Sequence, residues 1–504
     1  MFDLPVLIKR LKKLLTKKDL VFLAILVCLF FITRLINLER FPIFCDEGIY
    51  IRWAKVAWHD ASWRFISLTD GKQPLHTWGM IPFLKLFPDN ALFAGRLFSV
   101  LTGFIALVGI FITLYYLFGK KTALVGTLIY TITPYFLFYD RLALIDSGVN
   151  AAFIWIFFLS ILFVKYNGLD IALIFGLTAG ISLLAKSSVK MFIALSALAP
   201  IIMIDRNIKK TVIRIINFFV LFVFTCLIAI SIYNIQRLSP FFHYVAQKNN
   251  TFVMTFSEFI RHPLAVFFTN IRILPLYVLW ESGFILGIVA LLGLIKLFQT
   301  QKRLAIYIGL WILLPFVAIV FFTKVLFPRY VIFFGSLLVI LSSFYIGKIK
   351  SRRMMLSLLL PVIVFQLWFS YPIIFNPVKT SLPEVDMGQY IDGVTAGWGT
   401  DEIVEFARGK SQEKPVILLA EGNFGLIADM LEVFIRKDDK ISVRGFWPLN
   451  ESDLIANQKE LGNNYVYAVF PHRTEFPDNW PIKLIKKFTK PNSQSAIYLF
   501  ELIP

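Results

Sequence analysis

Two adjacent carboxylates, Asp46 and Glu47, stand just past the end of a long apolar run, in the segment Phe44-Cys45-Asp46-Glu47-Gly48. A second acidic cluster follows in Tyr139-Asp140-Arg141-Leu142-Ala143-Leu144-Ile145-Asp146. Basic residues accompany them in separate loops: Lys72, Lys186 and Arg329. A carboxylate can take a proton from a hydroxyl. Arg and Lys can neutralise a phosphate, Arg through a two-pronged fork. The mixture therefore suits a site that activates a hydroxyl and holds a phosphate leaving group. The pattern expected of Ser/His/Asp catalysis, a Walker loop or a dinucleotide fingerprint does not stand out.

The elements that must carry these residues are membrane spans. Of 504 residues 58% are hydrophobic and only 16% charged, where a soluble domain holds about a quarter. The mean hydropathy is +0.71 and there are 53 Phe. Composition alone gives a polytopic α-helical membrane protein. The net charge of +19 does not indicate nucleic acid, because the basic residues fall in short clusters between apolar runs. Cys28, Cys45 and Cys226 have no paired spacing, so neither a disulfide framework nor a zinc motif is expected.

Apolar periodicity and basic clusters predict about eleven transmembrane helices. They cover 20–38, 91–118, 122–138, 148–164, 169–184, 191–204, 213–233, 275–295, 304–322, 331–347 and 354–372. The basic stretch from Lys9 to Lys18 marks the cytoplasmic side, and the first span is expected to be retained. Asp46, Glu47, Lys72, Asp140, Arg141, Asp146, Lys186 and Arg329 then all fall at outer span ends or in external loops. The first external loop, 39–88, holds Ile49, Trp53, Val56 and Ala57 at helical spacing, with Arg52, Lys55 and His59 on other faces. This reads as an amphipathic helix lying in the membrane interface. A second long external loop, 234–274, carries His243, Lys248, Arg261 and His262.

Composition changes near Asn376. Residues 376–504 read as a small extracytoplasmic α/β domain after a transmembrane catalytic domain over 1–375. Strands are expected at 415–419, 465–469 and 495–500, and helices at 423–435 and 452–460.

Four segments in this order resemble the GT-C membrane glycosyltransferases, specifically the protein O-mannosyltransferase / lipid A aminoarabinose transferase group. They are Asp46-Glu47 after the first span, Gly71-Lys72-Gln73-Pro74-Leu75, Asp140 through Asp146, and Pro328-Arg329-Tyr330 before a late span. The resemblance covers roughly residues 20–372, and Gln389 through Gly399 also looks like a stretch of bacterial relatives. It implies the GT-C fold and a dolichyl- or undecaprenyl-phosphate-linked sugar donor. It further implies transfer outside the cytoplasm to a protein, lipid or glycan hydroxyl, with inversion at the anomeric carbon. Asp46 matches the catalytic carboxylate, a general base that Glu47 supports. Lys72, Arg329, Tyr330 and Lys186 match donor-phosphate contacts. Gln73 replaces the family's first proline, and Ser187 replaces a glycine after Lys186. Asp140, Arg141 and Asp146 match the loop that shapes the site, with Arg141 orienting the carboxylates. His76 is a further candidate, for the acceptor. A divalent cation between Asp46, Glu47 and Asp140 has suitable oxygen ligands, but the resemblance implies no obligatory metal. The alternative function is a transporter or flippase of a lipid-linked sugar. The expected place is the cell membrane, with the N-terminus cytoplasmic and no nucleic-acid partner.

Overall fold

The computed structural model describes residues 16–204, 207–422 and 424–504. The basic residues Lys9 to Lys13 and Asp205-Arg206 lie outside the described residues. An apolar segment in lipid must satisfy its own backbone polar groups, so these segments fold as helices. Every expected span coincides with a helix or a helix pair. α1 (Lys17–Leu35) opens on a capping box between Thr16 and Asp19. α2 (Cys45–His59) and α3 (Leu75–Leu86) follow in the first loop. α4 (Ala91–Phe118) is capped by the Asn90 side chain and stops at Gly119, whose φ of 92° suits glycine.

Six helices among the described residues are long and apolar enough to cross a membrane, or up to eight if each bent pair is one span. Two expected spans are broken. α5 (Lys120–Ile132) and α6 (Pro134–Asp140) meet at 59°, where Pro134 withholds the amide that would continue the helix. The pair Phe267–Glu281 and Ile285–Thr300 meets at 103° across Gly283, at φ 70°. The expected spans at 169–184 and 191–204 form short apolar helices, Leu169–Leu183 and Val189–Met203. Small residues let spans approach closely: a Cβ on Gly293 would lie 2.2 Å from the Leu341 carbonyl oxygen.

The first loop departs from expectation. α2 is helical where predicted, but its apolar face packs against protein. Ile49, Trp53 and Ala57 are buried, and α2 packs on α3 and on a C-terminal helix, Ile427–Phe434. Its polar face docks as well. Lys55 Nζ donates to the carbonyls of Glu432, Val433 and Ile435, at the carboxyl end of that helix where a cation is favoured. Arg52 pairs with Asp429 at 3.2 Å and with Glu432. Arg52 and Lys55 are thus cross-links between two parts of the fold, while His59 is exposed.

The C-terminal segment holds a five-stranded sheet in the order Ile441–Phe446, Val416–Glu421, Tyr465–Phe470, Ala496–Leu502, Ile482–Thr489. The first three strands are parallel and the last two antiparallel. Residues 384–397 are not part of that sheet. They are woven into the membrane-side block: β1 (Ile43–Phe44) pairs antiparallel with β2 (Ala396–Gly397) immediately before Asp46, and the Cys45 amide donates to the Thr395 carbonyl at 3.1 Å.

This pairing leaves no room at Gly397, where a Cβ would lie 2.6 Å from Ile43 Cγ2 and 2.8 Å from Met430 Sδ. Gly397→Val should destabilise the protein by about 1–3 kcal/mol. Thermal unfolding in detergent checks it; an unchanged midpoint would mean that this junction tolerates separation.

Candidate active site

Asp46 occupies the first turn of α2, where free backbone amides favour a carboxylate. Its Oδ1 lies 3.6 Å from Lys72 Nζ and its Oδ2 3.0 Å from Arg329 Nη2. Lys72 also lies 3.7 Å from Asp70, which pairs with Lys248 at 2.6 Å. The Lys72 ammonium sits 4.8 Å from the Tyr50 ring centroid, a cation–π distance. Arg329 donates to the Tyr390 hydroxyl at 3.2 Å and stacks over Phe44. On the other wall Lys186 pairs with Asp146 at 2.7 Å, with its ammonium 4.2 Å from the Tyr330 ring centroid.

These groups line one cavity of about 880 Å³. Its polar part holds the cations Lys72, Lys186, Lys190, Lys248 and Arg329 against Asp46, Asp70 and Asp146, so the surplus is positive and suits an anion. Its other part is apolar and runs along Met191, Met254, Ile319, Phe322, Leu326 and Phe333. Polar head and apolar tail therefore have adjoining places. Burial by itself would raise the Asp46 carboxyl, but Lys72 and then Arg329 outweigh it and hold the group below the usual carboxylate range. Burial likewise opposes the charge on Lys72, and its attraction to Asp46 outweighs that and raises it.

Of the residues singled out in the sequence, the fold brings together Asp46, Lys72, Asp146, Lys186, Arg329 and Tyr330. Four lie elsewhere. Glu47 is not a partner of Asp46 in the cavity. It is fully buried and turned toward α4, where Arg96 grips it through Nε at 2.9 Å and Nη2 at 2.8 Å. The amides of Ala143 and Phe44 donate to the same carboxylate at 2.7 and 3.0 Å. Asp140 is buried beneath Gly103, paired with Arg34 at 3.3 Å and bonded by Ser147 at 2.6 Å. Arg141 does not orient carboxylates. It donates to the carbonyls of Thr33, Arg34, Ile36 and Asn37 and so caps the end of α1. His76 is buried between Tyr50 and Phe98, at 5.1 and 5.3 Å between ring centroids, outside the wall of this cavity. Burial pushes its pKa down to about 4, so the ring is neutral near pH 7. The set Asp46, Glu47 and Asp140 does not converge, and no group of three or more His, Cys, Asp or Glu among the described residues is placed to hold a metal ion.

Sequence reasoning did not single out Arg34 and Arg96, although each is a charge inside an apolar run. Such a charge costs roughly 2.5–3.5 kcal/mol on insertion scales and so demands a partner. Asp70, Tyr50, Lys248 and Tyr390 were also missed as site residues. Tyr390 belongs to a segment beyond the last span, and only the fold brings it to Arg329.

A cavity among apolar helices, with a surplus of cations, a clamped carboxylate and an apolar part, suits an amphiphilic anion. The comparisons narrow it. Residues 71–233 match the family described as dolichyl-phosphate-mannose-protein mannosyltransferase. The fold is similar to that of ArnT from Cupriavidus metallidurans bound to undecaprenyl phosphate, with a TM-score of 0.59, 13% identity, and coverage of 95% of this chain and 97% of that one. It is also similar to the archaeal oligosaccharyltransferase AglB from Archaeoglobus fulgidus in complex with an inhibitory peptide and a dolichol-phosphate. There the TM-score is 0.53, the identity 11%, and the coverage 90% of this chain and 69% of that one. No curated protein matches the sequence. The resemblance to the GT-C membrane glycosyltransferases thus holds in the matched segment and in the fold.

The Glu47–Arg96 pair is buried and fully bonded. Glu47→Gln should cost about 3–5 kcal/mol, because it strands a buried guanidinium. Arg96→Met combined with Glu47→Met should cost less than either single change. Unfolding of the three variants in detergent measures the coupling; strict additivity would mean that the two groups do not depend on each other.

Proposed function

We propose that this protein transfers a sugar from a polyprenyl-phosphate-linked donor to a hydroxyl acceptor on the extracytoplasmic face, inverting the anomeric carbon, with Asp46 as general base. The observation that carries the reading is the clamp of Lys72 and Arg329 on Asp46, at the border between the cationic and apolar parts of one cavity. The undecaprenyl phosphate and dolichol-phosphate in the structures of similar fold support the same donor class. The isoprenoid chain lies along the apolar end and the phosphodiester at Arg329, Lys72 and Lys186.

In the reaction the acceptor oxygen loses its proton to Asp46 and attacks the anomeric carbon. The bond from that carbon to the phosphate oxygen breaks, and the polyprenyl phosphate leaves with the electron pair. A singly charged diester becomes a monoester carrying one more negative charge. Cations that bind this growing charge more strongly than the ground state lower the barrier. Lys72 and Arg329 restrain Asp46 through their charge, so an arriving phosphate competes for them and returns basicity to the carboxylate.

Two outcomes follow from this chemistry. Asp46→Asn should lower kcat by about 10²–10⁴-fold while the protein still binds donor. Arg329→Lys should also lose rate, because an ammonium lacks the fork. Sugar release from a polyprenyl-phosphate donor measures both, and retained turnover in Asp46→Asn would remove Asp46 from its role. The pH profile has a definite sign. A carboxylate held below its ordinary value stays ionised as the pH is lowered through about 3.9, the unperturbed value. The acid limb of kcat/KM should thus fall below that point, and the acid limb of kcat should lie higher, since bound donor draws the cations away. The stability this carboxylate contributes is present above pH about 3.9 and is lost as pH falls through its folded value.

A further inference from the structure

A second cavity, of about 240 Å³, lies behind the wall of the first. It is enclosed by α3, α4, Asp146–Tyr166 and Leu169–Leu183 near their external ends. Ile145 and Ala185 line both cavities, so the two adjoin at these side chains. The walls are apolar, built from Phe98, Ile105, Trp155 and Ile181 among others. Thr102, Thr178 and Ser182 also face it, but each hydroxyl already donates to a carbonyl of its own helix, that of Ser99, Ile174 and Thr178 respectively. One polar atom remains. His76 lines this cavity, is 3% exposed, and its Nε2 has no hydrogen-bond partner. A buried polar atom without a partner is uncommon and asks for one. Ile105 and Ile181, which line it, are 42% and 50% exposed, so the cavity reaches the apolar outer surface of its helices.

We propose that this cavity holds a hydrocarbon chain of the acceptor, and that the acceptor is therefore a membrane lipid bearing a free hydroxyl. The inference rests on the glycosyltransferase reading and names its acceptor class. An occupant reaching an apolar space from the bilayer is a hydrocarbon chain, not a polar peptide. The donor chain already has a place, the apolar end of the larger cavity, continuous with Arg329 and Tyr330. A lipid seated in the second cavity leads its head past Ile145 and Ala185, beside Tyr50, toward Asp46. The unpartnered His76 nitrogen meets the one polar group that such a chain carries near its head, an ester or a hydroxyl.

The test uses the full chain in lipid nanodiscs with two photoreactive probes, a diazirine-bearing acyl phospholipid and a diazirine-bearing geranylgeranyl phosphate. Thr178→Trp and Ala152→Phe fill the cavity and touch none of the groups at Asp46. The acyl probe should label residues 148–155 and 178–182, and Thr178→Trp should reduce that labelling by about ten-fold or more. Sugar from a polyprenyl-phosphate donor supplied with membrane extract should appear in the solvent-extractable lipid. Ala152→Phe should raise the KM for that extract by about ten-fold or more and leave hydrolysis of the donor by water unchanged. The proposal is overturned if the isoprenoid probe labels this cavity instead. It is equally overturned if acyl labelling there does not exceed that of the lipid-facing helix Ile208–Tyr233, or if the sugar appears in protein. Absence of donor consumption in the unaltered protein would defeat the glycosyltransferase reading, and the labelling pattern would still decide what the cavity holds.

Discussion

The ion pair between Glu47 and Arg96 is the interaction on which the site's geometry depends. Two full charges out of water are tolerable only if each is completely bonded. Here they are. Glu47 receives Arg96 and two backbone amides, while the remaining Arg96 donors take the carbonyls of Leu38, Phe41 and Pro42. That one knot ties together the linker after α1, the start of α2, the middle of α4's outer end and the loop at Ala143. Successive residues of a helix point about 100° apart, from 3.6 residues per turn. Fixing Glu47 inward therefore turns Asp46 outward, into the cavity. The two carboxylates are unequal because one of them is the anchor that aims the other.

The same economy operates below it. Arg34 pairs with Asp140, and Arg141 binds the last carbonyls of α1, which a membrane helix end cannot leave bare. The conspicuous charges of the Asp140–Asp146 stretch thus divide by depth. Asp140 and Arg141 hold the spans together, and Asp146 at the head of its helix faces Lys186 and the cavity. A sequence motif lists such residues side by side; burial sorts them into structure and chemistry.

Much was legible. The apolar helices follow from apolar length, and five of the charges grouped by their place near span ends, Asp46, Lys72, Asp146, Lys186 and Arg329, line one cavity. What was not legible depends on pairing. Asp46 and Glu47 look alike in sequence because nothing local announces Arg96 as the partner of one and Arg329 as the partner of the other. In the C-terminal sheet, the expected strands at 415–419, 465–469 and 495–500 are the three central ones, apolar on both faces. The two missed strands, Ile441–Phe446 and Ile482–Thr489, are the edges. Arg444 and a run of lysines there keep an open edge soluble and break the apolar pattern. The docking of α2 on protein was not legible for a related reason. Its charged face found partners on a helix more than three hundred residues further along the chain, which periodicity cannot foresee.

That docking changes what the C-terminal segment is. Its residues supply the strand that pairs with β1, the Tyr390 hydroxyl that Arg329 meets, and the Asp386 carboxylate bonded by the Tyr139 hydroxyl. Phe424 and Gly425 reach the wall of the cavity itself. A boundary drawn at the last span by composition thus separates residues that share one site. The membrane spans alone would leave Arg329 without Tyr390, and Asp46 at the start of a helix whose preceding strand has no partner. The clamp on Asp46 is accordingly a property of both regions together: residues before Asn376 provide Lys72 and Arg329, and the segment beyond holds the helix that presents Asp46.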